Sequence, residues 1–534
     1  METEINDILT NNSQPQVFLK KIMFNDDTEL ALSNNSIVVF TGANNCGKSQ
    51  VLKDIESSFN PSNNAARIIV INTEVEYCGT IEGSNFLKNR FFINHQMNLQ
   101  PYECQDAFDR ETLYHYWRNH TLYNGLYRLF VKRLDTASRI TLSNDLVRHQ
   151  NPERHPIYKL NNSETLAKTI SNFFHKAFGV DLIVNRNDVK TIPLHIGKAP
   201  NSQEYTMDRQ DEYYKIVSSL PKLKDQGDGM RSFASILLDA FTSDYSITLV
   251  DEPEAFLHPP QARVLGNMLA RNISNRQLFI STHSEDFLQG LLDANNDNVT
   301  VIHINRHQDE NKISVLLNDS IKTLWSNPLL RYSDILSGLF HEKVVVCESD
   351  YDCLFYQSVM FAMFENADKI TPDILFTHCG GKSRAKDVVK ALSAVNVPVV
   401  AICDFDLINA SQNFKPLAAA FSIDWDKDLS RDMKTIYDTV NAKPKEWERL
   451  KKLGKKGLDG DAPAAYDKVE IVCKNSGLFV VPCGEIECFD RTINKEKKDW
   501  VYAVLENYDL ATEPKLDEAR KFVQAVVDYK LREK

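Results

Sequence analysis

Ser246-Ile-Thr-Leu-Val-Asp-Glu-Pro-Glu-Ala-Phe-Leu-His-Pro259 decides how this chain is read. Ile247 to Val250 is an unbroken run of apolar and β-branched residues, the pattern of a strand buried on both faces of a parallel sheet. Asp251 and Glu252 stand where that strand emerges, and the carboxyl ends of parallel strands are where such sheets hold ligands. Pro253 and the Pro259-Pro260 pair stiffen the exit. An ordinary strand ending in two acids has the same local look, so its partners elsewhere in the chain must decide. Read as a Walker B strand, it gives Asp251 the task of orienting Mg2+ through its water shell. Glu252 then polarises the water that attacks a γ-phosphate.

The first partner lies upstream. Ile37 to Phe40 reads as a strand, runs into Gly42-Ala-Asn-Asn-Cys-Gly-Lys-Ser49, and is followed by a helical pattern from Gln50 to Phe59. G-x-x-x-x-G-K-S between strand and helix is a phosphate-binding loop. Its glycines let the backbone N–H groups of Asn44, Asn45, Cys46 and Gly47 wrap phosphates. Lys48 reaches the β/γ-phosphates, and Ser49 offers its hydroxyl to Mg2+. A second partner, Gln226-Gly-Asp-Gly-Met-Arg-Ser232, opens the apolar helix Phe233 to Phe241. Gly227 and Gly229 there make a second set of backbone donors at a helix amino terminus, although a plain loop-to-helix junction also uses Gly and Ser. The third is the strand of Gln277-Leu-Phe-Ile-Ser-Thr-His-Ser284, expected beside the Walker B strand. His283 at its end is read as a γ-phosphate switch rather than a structural histidine. His258 is assigned no chemistry.

Around this frame, Val17 to Leu32 alternates about Asn25-Asp26-Asp27 as a hairpin. Arg67 to Asn72 reads as a buried strand, and Val299 to Ile304 and Ile313 to Leu317 as closing strands. From about 85 to 210 the chain turns aromatic, charged and mostly helical. Its mixture of Tyr114, Tyr116, Trp117, Tyr123 and Tyr127 with Arg118, Arg128, Lys132 and Arg133 suits base stacking or core packing, and packing is the expected role.

The carboxyl half repeats a strand–acid–helix rhythm. Lys343 to Cys347 leads to Glu348-Ser-Asp-Tyr-Asp352, Ile374 to Thr377 leads to Cys379-Gly-Gly-Lys382, and Val397 to Cys403 leads to Asp404-Phe-Asp406. Alternation along an extended segment puts Asp404 and Asp406 on one side. With Glu348 on a neighbouring strand tip, they converge on one or two hard cations. Asp352, Glu485 and Glu487 are further candidate ligands. Val469 to Val472 and Leu478 to Pro482 read as strands. The basic run Lys443 to Lys456 reads as a phosphate-steering patch against the plainer expectation of a solvated helix face. Leu516 to Leu531 spaces apolar residues as a last helix.

Bulk numbers bound the rest. At 534 residues the chain needs two or three cores. No apolar run approaches the ~20 residues of a bilayer span, so a cytoplasmic, non-membrane protein is expected. Its ten cysteines include no C-x-x-C pair, which favours reduced core thiols over a disulfide or zinc framework. The net charge of −11 leaves nucleic-acid contact to local basic patches or metal ions.

These motifs together resemble a known family. Gly42 to Ser49, Gln226 to Ser232, Asp251-Glu-Pro-Glu254 and Ser281-Thr-His283 resemble the ATPase of the SMC/Rad50-like branch of ABC proteins. Glu348, Gly380-Gly381, Asp404-x-Asp406 and Gly484-x-x-Glu487 resemble a Toprim domain. That order is the arrangement of the OLD (overcoming lysogenization defect) nucleases. The resemblance implies an α/β chain with an ABC-type ATPase domain at 1–335, carrying a helical insertion at about 85–210. An α/β Toprim nuclease domain follows at 336–534, with its own helical insertion and a carboxyl-terminal helix. It further implies ATP and Mg2+ or Mn2+ as cofactors, ATP-controlled DNA cleavage, a homodimer or higher assembly, and antiphage defence. Some relatives act with a helicase, as in Gabija, and others beside a retron reverse transcriptase and its DNA–RNA product. RNA such as tRNA as substrate, or a non-cleaving ATP-dependent clamp on DNA, are the competing functions. Lys515 and Lys521 are the candidates for the family's active-site lysine.

Overall fold

The computed structural model describes residues 14–60, 66–82, 85–94, 96–101, 106–148, 155–200, 210–273, 275–307, 310–316, 336–443 and 445–530. The chain divides into two compact units, Met1–Asn318 and Asp319–Lys534. The boundary expected at 335/336 borders residues 317–335, which lie outside the described residues.

The first unit starts with a hairpin, β1 (Gln16–Phe24) and β2 (Glu29–Ala31), turning through Asp27 at φ 65°. β3 (Ile37–Thr41) then feeds the phosphate-loop motif and helix α1 (Lys48–Ser58). Next come β4 (Val70–Cys78), β5 (Val131–Leu134) and the short helix α2 (Thr136–Leu142). Helix α3 (Asp228–Thr242), β6 (Ile247–Asp251), β7 (Gln277–Ser281), β8 (Val299–His307) and β9 (Glu310–Leu316) complete the frame. The main sheet runs β9-β8-β3-β7-β6-β5, parallel throughout except for the antiparallel edge strand β9. β3 and β7 are buried along their whole length, which is why both read as apolar runs without alternation.

A second sheet, β2-β1-β4, is antiparallel. The strand expected at Arg67–Asn72 is displaced into it: β4 starts at Val70, and beyond that buried residue it is exposed or half-buried. Its alternating Val-Ile-Asn-Thr-Glu-Val-Glu pattern suits a sheet with one wet face. Buried Gln277 ties the two sheets together. Its Oε1 accepts from Leu19 N at 2.8 Å, while its Nε2 donates to the carbonyls of Leu19 (2.6 Å) and Ser33 (2.8 Å).

The segment 85–210 is mixed rather than helical. Its helices Arg110–Arg118, Pro156–Asn162 and Glu164–Phe178 alternate with the strand pairs Phe91–Ile93/Leu99–Pro101 and Asp181–Val184/Leu194–Gly197. More important for the site, β5 inside this segment is an edge strand of the main sheet, paired in register with β6. Leu113, Trp117 and Tyr127 are buried in the core, the packing role expected of this aromatic stretch.

The second unit is a four-stranded parallel sheet of β10 (Lys343–Cys347), β11 (Ile374–His378), β12 (Val399–Cys403) and β13 (Leu478–Val480) in the order β11-β10-β12-β13. Helix α4 (Asp350–Asn366) follows β10 and α5 (Lys382–Ala394) follows β11. Val469–Val472, expected as a strand, lies inside α6 (Ala462–Ser476). There Tyr466, Val469 and Cys473 are buried at helical spacing. The last helix, Asp517–Asp528, buries Ala519, Phe522, Val523 and Val526. Among the described residues no helix is long and apolar enough to cross a membrane, and the described cysteines are free thiols.

Candidate active sites

In the first unit the carboxyl ends of β3, β6 and β7 lie side by side, and their motifs meet there. The loop after β3 needs glycine at its ends. Gly42 has φ +143°, and a Cβ on it would stand 2.2 Å from the Ile304 carbonyl oxygen. Gly47 has φ +107°. Lys48, 4% exposed, donates to the carbonyls of Gly42 and Ala43 at 2.7 Å each, so its ammonium sits inside the loop. Asn44 and Asn45 are exposed at the loop tip. Cys46 is buried with its Sγ 3.7 Å from Lys48 Nζ, and burial raises its thiol pKa. What Cys46 offers a ligand is therefore backbone rather than thiolate.

Ser49 Oγ donates to Asp251 Oδ1 at 2.9 Å, although the two stand 202 positions apart. Ser281 Oγ donates to the same oxygen, and Arg133 Nη2 lies 3.6 Å from Asp251 Oδ2. A hydroxyl and a carboxylate this close are an oxygen pair that fits Mg2+, and the glycine-walled loop beside them fits phosphates. Glu252 leaves the strand with φ +48°, its N–H donating to Ser281 O at 3.0 Å. Its half-exposed carboxylate reaches His283, with Oε1 3.5 Å from Nε2. Burial, and then the Lys48 charge, push the His283 pKa down to about 4, so this imidazole is neutral at physiological pH. Glu254, in the same motif, is half-buried, and its Oε1 accepts from Thr282 Oγ1 (2.8 Å) and His283 N (2.7 Å), pinning the loop that carries the histidine.

Gly227 is the amino-terminal cap of α3. Gly229, the second residue of that helix, packs so tightly on the loop after β6 that a Cβ would stand 2.4 Å from Phe256 O. Its bare Cα is thus required by a contact within the chain. Arg231 in the same turn donates through Nη2 to Ile140 O (3.1 Å) and Asn144 Oδ1 (3.3 Å), both at the far end of α2.

In the second unit the ends of β10 and β12 bring Glu348, Asp404 and Asp406 together. One carboxylate oxygen of each lies within 4.8 Å of the others. The route differs from the expected extended alternation, because Asp404 caps a 3-10 turn, Phe405–Asn409, that contains Asp406. Glu348 Oε1 accepts from Asp404 N at 3.2 Å. Burial first, then the repulsion of Asp406 and Asp352, raises the Glu348 pKa to about 7, against the pull of Lys382. Burial likewise drives Asp404 well above the carboxylate range, reinforced by Glu348, Asp352, Glu485 and Asp406. The three crowded carboxylates offer only hard oxygen donors, a set suited to Mg2+ or Mn2+.

The other expected ligands stand outside this group. Asp352 closes a capping box on Ser349, accepting from its N–H at 2.8 Å and its hydroxyl at 2.9 Å. Glu485 pairs with Lys451 at 2.9 Å, and Glu487 accepts from Lys497 N. Lys515 is engaged with Thr492 Oγ1 (2.9 Å) and Tyr508 OH (3.2 Å), and Lys521 is exposed on the last helix. The lysine at the carboxylates is instead Lys382, ion-paired with Asp406. Gly380 (φ +68°) and Gly381 (φ +114°) turn the chain to place it, with Gly381 N donating to Glu348 O at 3.0 Å. Most of the 443–456 basic run is already paired. Lys443 meets Asp459, Arg449 meets Glu446, Lys455 meets Asp467 and Glu470, and Lys456 meets Glu518. It is a salt-bridged surface rather than a free phosphate patch.

Comparison with known proteins places both units. Residues 84–288 match the family described as "AAA domain, putative AbiEii toxin, Type IV TA system". Residues 339–406 match "Overcoming lysogenization defect protein-like, TOPRIM domain". No curated protein matches the chain. Similar solved structures are heads of SMC proteins. One SMC head, bound to the winged-helix domain of ScpA, is 13% identical with a TM-score of 0.36, covering 57% of this chain and 99% of that one. Another, bound to a ScpA domain from Pyrococcus furiosus, is 10% identical with a TM-score of 0.33, covering 59% and 99%. The SMC head from Thermotoga maritima is 11% identical with a TM-score of 0.29, covering 57% and 99%. An AAA-type ATPase domain followed by an OLD-like TOPRIM domain, with its acidic cluster in place, makes this chain an ATPase joined to a metal-dependent nuclease, the arrangement of an OLD family ATPase–Toprim protein.

Proposed function

We propose that this protein is an ATP-controlled endonuclease that cuts DNA as an antiphage effector, working as a homodimer or higher oligomer. The observation that carries the reading is the meeting of Glu348, Asp404 and Asp406 in a unit joined to a nucleotide site. The names of the matched families, a toxin and a lysogenization factor, support the phage connection. Glu348, Asp404 and Asp406 hold the divalent cations, whose chemistry is to activate water and neutralise the departing oxygen. Asp352 and Glu485 bias the cluster electrostatically from behind. In the ATPase, Asn44 to Ser49 cradle the phosphates and Asp251 with Ser49 holds Mg2+. Glu252 orients the water, and neutral His283 senses the γ-phosphate. Gly227 opens a helix whose backbone donors face the nucleotide of a second copy.

The test is incubation of supercoiled plasmid and of tRNA with Mn2+ and ATP, using wild-type protein and Asp404→Ala. Plasmid cutting that Asp404→Ala loses, with nucleotide binding intact, supports the reading. Cutting of tRNA alone moves the substrate to RNA, and no cutting of either leaves an ATP-dependent clamp.

A further inference from the structure

Arg139 is fully buried on a helix of only seven residues, and nothing in the motifs pointed to it. Its position follows from the edge strand. β5 pairs in parallel with β6, Leu134 level with Val250, so the chain leaves β5 just beside the Walker B exit. Asp135 caps the helix that follows, accepting from Ser138 N at 2.8 Å, and this aims Arg139 back over the strand end. Its guanidinium then spans two successive carbonyls, with Nη1 donating to Asp251 O at 2.5 Å and Nη2 to Glu252 O at 3.0 Å. Leu134 O (3.4 Å) and Thr136 Oγ1 (3.3 Å) take its remaining bonds.

These carbonyls belong to the two peptide units that flank Glu252. Glu252 adopts φ +48°, a left-handed conformation unusual for a residue with a side chain, and such strain persists only where surrounding contacts hold it. Its N–H is bound by Ser281 O, and its carbonyl by Arg139 and Ala255 N. The Asp251 carboxylate, by contrast, is served by Ser49, Ser281 and Arg133. Arg139 therefore bonds the backbone and not the acids. We propose that Arg139 is a positioning residue for ATP hydrolysis, which aims the Glu252 carboxylate by clamping the peptide on either side of it. The inference rests on the reading of Glu252 as the water-orienting carboxylate. Only a planar fork bridges two adjacent carbonyls, because a lysine ammonium is a single point donor on a different stem.

The experiment measures binding of a fluorescent ATP analogue, steady-state ATP hydrolysis and thermal unfolding for wild type, Arg139→Lys, Glu252→Gln and the double variant. Arg139→Lys should bind nucleotide within about twofold of wild type yet hydrolyse it about tenfold or more slower, the signature of a misplaced catalytic group. In the Glu252→Gln background the lysine should change the residual rate by less than about twofold, because the two residues act as one unit. Wild-type turnover by Arg139→Lys, or additive losses in the double variant, overturns the proposal. So does an equal loss of nucleotide affinity and melting temperature, which would make Arg139 a plain anchor. Arg139→Met, which removes the fork altogether, is measured beside them, and should it fail to fold the lysine variant still decides. Normal turnover by Glu252→Gln removes the underlying reading itself and is told apart from the other failures by that single variant.

Discussion

Asp404→Asn tests whether the acidic cluster is held together against its own charge. At the 4.8 Å limit of the cluster, two full charges repel by about 3.5 kcal/mol at an effective dielectric of 20 and by about 0.9 kcal/mol in bulk water. Asp404 is also half-buried, and its pKa lies well above the ordinary 3.8. A carboxyl whose folded pKa is raised stabilises the fold only while it keeps its proton. That stability is complete at low pH and is lost as pH rises through the folded value. At pH 8 an unfolded Asp is ionised, so folding costs either a captured proton or a repelled charge. An amide of the same shape removes that cost, and a gain of about 1 to 3 kcal/mol is expected without divalent cation. For a unit of this size the gain raises its melting temperature by roughly 3 to 10 °C. Mn2+ should reverse the ranking. At about a hundredfold excess over its Kd, bound cation stabilises the wild type by about 2.7 kcal/mol, and the asparagine variant should gain far less. Differential scanning fluorimetry at pH 8, with EDTA and with Mn2+, reads both arms. An asparagine variant that melts at or below wild type in EDTA, or that gains equally from Mn2+, refutes the reasoning.

Three further outcomes are expected. Because the raised Glu348 carboxyl, at about 7, keeps its proton to neutral pH, protons compete with the cation below that value. Mn2+ affinity measured by calorimetry should fall about fivefold from pH 7 to pH 6, and a flat profile would show that this carboxylate is not a ligand. Gly42→Ala forces a Cβ against Ile304 O at a φ of +143°. It should abolish ATP-analogue binding and cost roughly 1–3 kcal/mol from backbone strain alone, whereas unchanged affinity would mean the loop bends freely. Gln277→Leu strips buried partners from Leu19 and Ser33, each worth about 1–3 kcal/mol. Denaturant unfolding with the wild-type midpoint would show that the two sheets do not depend on that amide.

Most of the two sheets was legible because parallel strands buried on both faces leave unbroken apolar runs, and the phosphate loop, Asp251, His283, Glu348 and Asp404 each follow one. What the sequence hid was geometry made by more than one element. Asp404 and Asp406 are expected on an extended segment and meet instead across a tight turn, so the three acids come together by a different route from the one their spacing suggests. Asp352 sits three positions after Ser349, a helix-capping signature that already accounted for its carboxylate. Val469–Val472 is too short a run to separate strand from helix, and only the wider spacing of Tyr466, Val469 and Cys473 tells them apart. β5 could not be read from its own residues, since Val-Lys-Arg-Leu looks like a fragment of a charged helix. Missing it also meant missing Arg139. Lys382 was visible as the residue after two glycines, but its reach to Asp406 depends on a turn docked against a different strand.

The short helix α2 deserves a mechanical description. One arginine grips its far end from α3, and another, planted in its middle, grips the strand end that carries Glu252. A rod of two turns has no joint to absorb strain. A tilt of the first turn of α3 is thereby passed on to the strand end that carries Glu252.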